Sequence, residues 1–313
     1  MTMSPEAEPF ALVDAHHHLW NLAAGRYPWL QEAVEPGFFL GDYTAIRRDY
    51  LPADYRADTR GHRIVATVHV EAERARDDQL GETAWLHRMN ARYGLPDAVV
   101  AHAWFHTPDA AEILAAQAAW PLVRGIRSKP VTAVTPEAPI PRGPGSMYDE
   151  QWLRGFSLLD RHGLSWDLRV PYWHLAEAAE VARLFPGTRI VLNHAGFPWD
   201  RSDPGLAAWR RGMETLARQP NVHVKVSEFG LRDVPWTLES NRGVILDTIS
   251  IFGIERCMFA SNFPVARLRI GYDALVDAMR QVLAEFPVAE RDAFFWRNAL
   301  EFYRISKPQG DSS

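Results

Sequence analysis

The densest chemistry in the chain lies in Val13-Asp14-Ala15-His16-His17-His18-Leu19-Trp20. It follows a short apolar run from Phe10 and reads as a strand that ends in polar residues. Residues two apart on a strand point the same way. Asp14, His16 and His18 are therefore expected on one face and His17 on the other. Two imidazoles that close together can hold one metal ion or one anionic group. A histidine-rich surface turn would have the same local composition, since isolated histidines are often structural. The pattern recurs, however, at the ends of other strand-like runs. His69 and Glu71, His102 and His106, Arg127 and Lys129, Asp167 and Arg169, Asn193-His194, then Lys225, Ser227 and Glu228, and finally Ser261-Asn262 all sit there. Charged and imidazole groups facing an interior are costly unless paired or used. For His69, His102, Lys225 and Arg169 the opposite phase, into the strand–helix layer, stays open.

The elements that must carry these residues repeat. After the opening strand come Ile64–Ala72, Ala98–Phe105, Val123–Lys129, Leu164–Val170, Arg189–Gly196, Val222–Gly230 and Cys257–Val265, eight apolar β-branched runs in all. Between them, apolar residues fall at helical spacing in Gln79–Tyr93, Ala110–Trp120, Trp152–His162, Leu175–Phe185, Leu206–Arg218, Val244–Phe252 and Tyr272–Phe286. Pro108-Asp109 and Asp203-Pro204 fit helix starts. Strand–helix alternation means parallel strands with crossover helices, and eight units close into a (β/α)8 TIM barrel. An open doubly wound sheet has no support, because no G-x-G-x-x-G follows the first strand. In a barrel the active site forms at the C-terminal strand ends, where the polar residues collect.

Two segments fall outside the repeat. Residues 21–63 are too long for one crossover and carry Tyr27-Pro28-Trp29-Leu30 and Gly37-Phe38-Phe39-Leu40-Gly41, which predicts an inserted lid or rim. Residues 131–147 are rich in Pro and Gly and read as an irregular loop at the same end, either a bare surface loop or a wall over the pocket. Val288–Ile305 is predicted as a final helix whose aromatics serve packing. The chain reads as a single domain over 1–313 with an ordered core over 10–305, and Lys307–Ser313 is expected to be disordered.

The 313 residues are 47% hydrophobic and 23% charged with net charge −5, which is ordinary globular composition. No basic stripe is present, so nucleic acid is not expected as a partner. Cys257 is the only cysteine, so neither an intrachain disulfide nor a thiolate cluster can form. Met1–Pro9 lacks a signal-peptide pattern, and no apolar run approaches the roughly 18 residues of a membrane span. The expectation is a soluble cytoplasmic protein without membrane partners. Trp85, Trp104 and Trp209 are expected to be exposed and would permit a homo-oligomer.

Asp14-x-His16-x-His18, His194-Ala195-Gly196 and Ser261-Asn262-Phe263-Pro264-Val265 together resemble the amidohydrolase superfamily, in particular the amidohydrolase-2 group that includes sugar-lactone and dicarboxylate lactonases. Arg48-Asp49-Tyr50, Arg124-Gly125-Ile126-Arg127, Val224-Lys225-Val226-Ser227 and Asn298-Ala299 before Phe302-Tyr303 agree, so the likeness spans almost the whole chain. It implies a distorted barrel that hydrolyses a lactone, ester or amide, with a divalent metal in some members and none in others. His16, His18 and His194 would be metal ligands or carbonyl-polarising groups. The family's eighth-strand Asp, which takes the proton from water, is Asn262 here, and an amide cannot act as a general base. The fifth strand reads Trp166-Asp167-Leu168 where many members place a His, so a two-metal site is not expected. One Zn²⁺ on His16, His18 and His194 with an open water position fits the residue types. The base must then be another group. Glu71 is preferred, with Asp167, Glu228 and His194 as alternatives.

Three readings follow. In the first, the chain opens a small-molecule lactone, with Arg127 and Lys129 binding a substrate carboxylate or oxyanion. Asp167 and Glu228 would contact substrate, and Trp20, Trp29, Trp173 and Trp199 would wall the pocket. In the second, the same pocket decarboxylates or hydrates an aromatic or unsaturated acid. In the third, the barrel has lost catalysis along with the eighth-strand Asp.

Overall fold

The computed structural model describes residues 10–306. The expectation of disorder for Lys307–Ser313 and the leader reading of Met1–Pro9 fall outside them. Eight parallel strands follow one another around a single sheet: β1 Ala11–His17, β2 Arg63–Val70, β3 Ala98–His102, β4 Val123–Arg127, β5 Ser165–Leu168, β6 Ile190–Leu192, β7 Val222–Val226 and β8 Cys257–Phe259. Helices Gln79–Tyr93, Ala110–Ala118, Glu150–Arg161, Leu175–Leu184, Asp203–Ala217, Leu238–Phe252 and Tyr272–Val282 alternate with them. This is the (β/α)8 arrangement that the alternation predicts. Closure between β8 and β1 is made by chain just beyond β8. Asn262 N–H donates to the His16 carbonyl and His18 N–H to the Phe263 carbonyl, both at 2.7 Å.

Two packed layers result. Alternate strand residues Val13, Ala15, Val68, Val100, Val191 and Met258 fill the barrel interior. Leu12, Val99, Ile126, Trp166 and Val224 face the helices. The C-terminal segment is helical but not uniform: Val288–Asp292, a wider turn over Ala293–Arg297, then Asn298–Tyr303. Its Leu300, Phe302 and Tyr303 join the barrel-interior cluster, so the tail plugs one mouth. Of the three tryptophans expected to be exposed, Trp85 and Trp209 are buried. Trp104 is half-buried with the Arg76 guanidinium 3.8 Å over its ring. Trp85 and Trp209 are therefore packed inside the fold rather than exposed. No helix among the described residues is long and apolar enough to cross a membrane.

The strands end earlier than their composition suggests. β6, β7 and β8 stop at Leu192, Val226 and Phe259, and the chain then leaves the sheet through non-glycine residues with positive φ: His194 at 58°, Glu228 at 50° and Asn262 at 56°. Such conformations cost roughly 1–3 kcal/mol each and persist only where the surroundings impose them. All three are candidate site residues at the C-terminal mouth.

Candidate active site

The first strand does not keep simple alternation. Its pairing with β2 shifts between Asp14 and His17, and a bulge of this kind changes which way the following side chains point. Asp14 therefore parts from His16 and His18. Its carboxylate accepts from Ser261 N–H at 2.9 Å, Ser261 Oγ–H at 2.6 Å and the Tyr55 hydroxyl at 2.9 Å. It fastens the β1–β8 seam. His17 stacks on the same Tyr55, with ring centroids 4.5 Å apart. The expectation that Asp14 shares a face with the two imidazoles is thus corrected by the bulge.

His16, His18 and His194 do converge. The Nε2 atoms of His16 and His18 lie 3.3 Å apart, and the rings of His16 and His194 are 4.6 Å apart. Burial, then Lys225 for His16, Arg127 for His18 and Arg169 for His194, pushes all three well below the usual imidazole range. They are neutral imidazoles in a cationic setting. His18 Nδ1 lies 2.7 Å from the Val70 carbonyl, which only accepts, so Nδ1 carries a proton, while Nε2 lies between His16 Nε2 at 3.3 Å and Asn262 Oδ1 at 3.1 Å. His16 Nδ1 faces the Lys225 ammonium at 3.5 Å, which only donates, so the His16 proton sits on Nε2 and points to His18. His194 Nδ1 pairs with Ser227 Oγ at 2.9 Å.

This proton arrangement bears on the metal expectation. A metal-ligating imidazole offers one nitrogen's lone pair and donates its other N–H to an acceptor. His18 meets that condition. His16 does not, because its second nitrogen faces an ammonium. Among the described residues no three His, Cys, Asp or Glu side chains converge closely enough to hold a metal ion. The residues as arranged do not fit the three-imidazole Zn²⁺ site.

Above the imidazoles lies a cavity of about 350 Å³ lined by His18, His194, Asn262, Arg127 and Arg169, with Trp29, Phe38, Phe39, Trp199 and Val265 as an apolar wall and Glu35 and Glu73 toward the rim. The insertion 21–63 supplies Trp29, Phe38 and Phe39, and Trp29 stacks on Phe38 at 6.0 Å and 11°. Trp20 and Trp173 stand behind the wall, against Trp29 and Trp199 respectively. No residue of 131–147 lines the cavity. The loop holds Trp173 from outside, through the Ala133 carbonyl, which accepts from Trp173 Nε1–H at 3.0 Å.

The carboxylates sort differently from the expectation. Glu71 accepts from Arg127 Nε–H at 2.5 Å and from Glu73 N–H at 2.8 Å. Burial raises its proton affinity, but Arg127, His102 and Lys129 overcome that and hold it below the usual carboxylate range. It orients Arg127 and is a poor base. Asp167 lies beneath the cavity, fully buried, accepting from Lys225 Nζ at 2.5 Å, Asn193 Nδ2 at 3.1 Å and the Tyr303 hydroxyl at 3.1 Å. Unlike the substrate contact expected of it, Asp167 does not line the cavity and its carboxylate is fully engaged by these three donors. Lys129 pairs with Glu73 and does not line the cavity. Glu228 accepts from Asn262 Nδ2–H at 2.5 Å, one side chain behind the lining, and burial pushes it up to about 7. His69 faces the outer layer, accepting Leu19 N–H at 3.1 Å. Arg169 lines the cavity although its phase was open. Its place two residues beyond inward-facing Asp167 is the signal that finds it.

An amidohydrolase family model matches residues 13–305. The protein y4mH of Sinorhizobium fredii is 39% identical over 94% of this chain and 99% of its own. An L-fucono-1,5-lactonase of Burkholderia multivorans is 27% identical over 95% of this chain and 97% of its own. A crystal structure of a Burkholderia multivorans amidohydrolase with bound zinc superposes with TM-score 0.77 at 26% identity, covering 95% of this chain and all of that one.

Proposed function

The chain belongs to the amidohydrolase family, and on that premise we propose that it is a hydrolase that opens a small lactone. One observation carries this reading. The neutral imidazoles His18 and His194, with His16 packed behind them, meet two arginines and an amide at one small cavity at the C-terminal mouth. The likeness to L-fucono-1,5-lactonases supports lactone over other acyl substrates.

The residues divide the work as follows. Arg127 is held by Glu71 at Nε and through its Nη2 on the Glu71 carbonyl, both at 2.5 Å. Its remaining edge faces the cavity and stabilises the carbonyl oxygen as charge develops there. His194, with Nδ1 on Ser227, presents Nε2 to a water and takes its proton as the water attacks. Among the four base candidates it alone lines the cavity, and reach precedes proton affinity in choosing a base. The proton then passes to the ring oxygen as the C–O bond breaks, which releases a hydroxy acid. Lys225 fixes the His16 tautomer, His16 in turn fixes His18, and the aromatic wall excludes bulk water.

A panel of five- and six-membered lactones, followed by acid release with a pH indicator, tests the reading. Turnover of at least one lactone, lost in His194→Asn, is expected. Failure to open any lactone, ester or amide, with divalent metals supplied in parallel, overturns it.

A further inference from the structure

Asn262 stands where the family's eighth-strand Asp would stand, and it lines the cavity with His18 and His194. An Asp offers the cavity an acceptor whichever way it turns. An amide offers one only when its oxygen, and not its NH2, faces inward. The neighbour that decides is Glu228. Its carboxylate lies 2.5 Å from Asn262 Nδ2 and also takes the Gly230 N–H. An ionised carboxylate only accepts, so the amide must present Nδ2 to Glu228 and Oδ1 to the opposite side. There Oδ1 lies 3.1 Å from His18 Nε2. That nitrogen has no proton to give. Burial and the Arg127 charge keep the His18 ring neutral, and its proton sits on Nδ1 against the Val70 carbonyl. Its Nε2 instead receives the His16 Nε2–H. Asn262 Oδ1 is therefore a buried acceptor at the cavity with no protein donor among the described residues. Such an atom is costly to leave unpaired, and a small O–H donor from the cavity satisfies it.

We propose that Asn262 Oδ1 accepts one hydrogen of the attacking water while His194 Nε2 takes the other, and that Glu228 is the positioning residue that holds the amide in this sense. Two acceptors fix both O–H bonds of the water and leave an oxygen lone pair for the lactone carbonyl. No bond forms or breaks at Asn262 or Glu228. The proton leaves the water for His194 and goes on to the ring oxygen. Arg269 and Arg169 favour the charged form of Glu228, but burial opposes it more and pushes its proton affinity up to about 7. The carboxylate that orients the amide is thus the main form at pH 8. The water contact rests on the proposed ring opening, whereas the orientation imposed by Glu228 does not.

Nitrogen-15 labelling of the asparagines in the full chain at pH 8 reads the amide directly, with the Asn262 signal identified by its loss in Asn262→Leu. One NH2 proton is expected well downfield of its geminal partner, as befits a short bond to a carboxylate, and the two are expected to draw together in Glu228→Gln. In the lactone assay Glu228→Gln is expected to lower kcat about 10-fold with KM within about twofold, because a neutral amide can face Asn262 either way round. Glu228→Gln/Asn262→Asp is expected to regain most of that loss, since the Gln donates and the Asp keeps an oxygen for the water. Asn262→Leu is expected to lose about 10²-fold in kcat. An Asn262 signal unmoved by Glu228→Gln overturns the orienting role. A parent that opens a lactone no faster than Glu228→Gln and Asn262→Leu, or a double variant no better than Glu228→Gln, overturns the water-holding role. If no lactone is opened, the hydrolase reading falls and the water contact with it, and the amide signal alone decides the orientation.

Discussion

The two mouths of the barrel are made by the same eight strands and differ in every physical respect. Toward the tail, Val13, Ala66, Ala98, Val191 and Met258 meet Leu300 and Phe302 in a filled apolar plug. At the other mouth the strands stop early, the backbone turns through positive φ at His194, Glu228 and Asn262, and neutral imidazoles sit beside cations around open space. Between them lies one polar layer, in which Lys225, Asn193 and the Tyr303 hydroxyl all bond to Asp167. One half holds the fold, the other carries the proposed site, and the middle layer joins the tail plug to that site through Lys225 and His16.

That contrast can be broken most severely at the joint. Lys225→Met leaves Asp167 buried without its cation and is expected to cost about 3–5 kcal/mol in chemical denaturation, with Lys225→Met/Asp167→Leu recovering most of it. At the open mouth, His194→Asn should lower kcat by about 10²- to 10⁴-fold with little change in melting temperature. If it melts much lower instead, His194 belongs to the structural half. At the plugged mouth, Met258→Ala should cost about 2–5 kcal/mol while kcat/KM per folded molecule stays within twofold. A large kinetic effect there would erase the division. Glu228 sharpens it by pH. Its proton affinity is raised by burial, so its contribution to stability is present below its unfolded value near 4.5 and is lost as pH rises through about 7. Glu228→Gln should therefore be more stable than the parent at pH 8 by roughly 2 kcal/mol, and no more stable at pH 4. The smallest expected effect is that of exhaustive chelation, after which turnover should stay within twofold. A loss restored by zinc would show that His16 turns away from Lys225 to serve as a ligand.

Much of this was legible along the chain. The short apolar, β-branched character of runs such as Arg189–Gly196, set against the helical period of Leu206–Arg218, is a local property and carries over directly into strands and helices. The residue types at strand ends point to the C-terminal mouth, and His16, His18 and His194 come together there. The errors share one cause. Strict alternation put Asp14 beside His16, but a bulge in the pairing of β1 with β2 divides them. Glu71 has the side chain of a base, but Arg127, 56 positions away, engages it. Asp167 has the side chain of a substrate contact, but Lys225 and Tyr303 surround it.

The sequence alone therefore determined the barrel, the end at which polar and imidazole residues collect, and the residue types present there, because periodicity and composition act over a few neighbouring positions. Only the tertiary structure decided which charges neutralise one another and which remain free. Those pairings depend on the closing of the ring and on one shift of register, neither of which leaves a local trace. Arg169 and Glu71 carry opposite charges at the ends of β5 and β2, and only the folded chain shows that Glu71 is already paired with Arg127 and Arg169 is not.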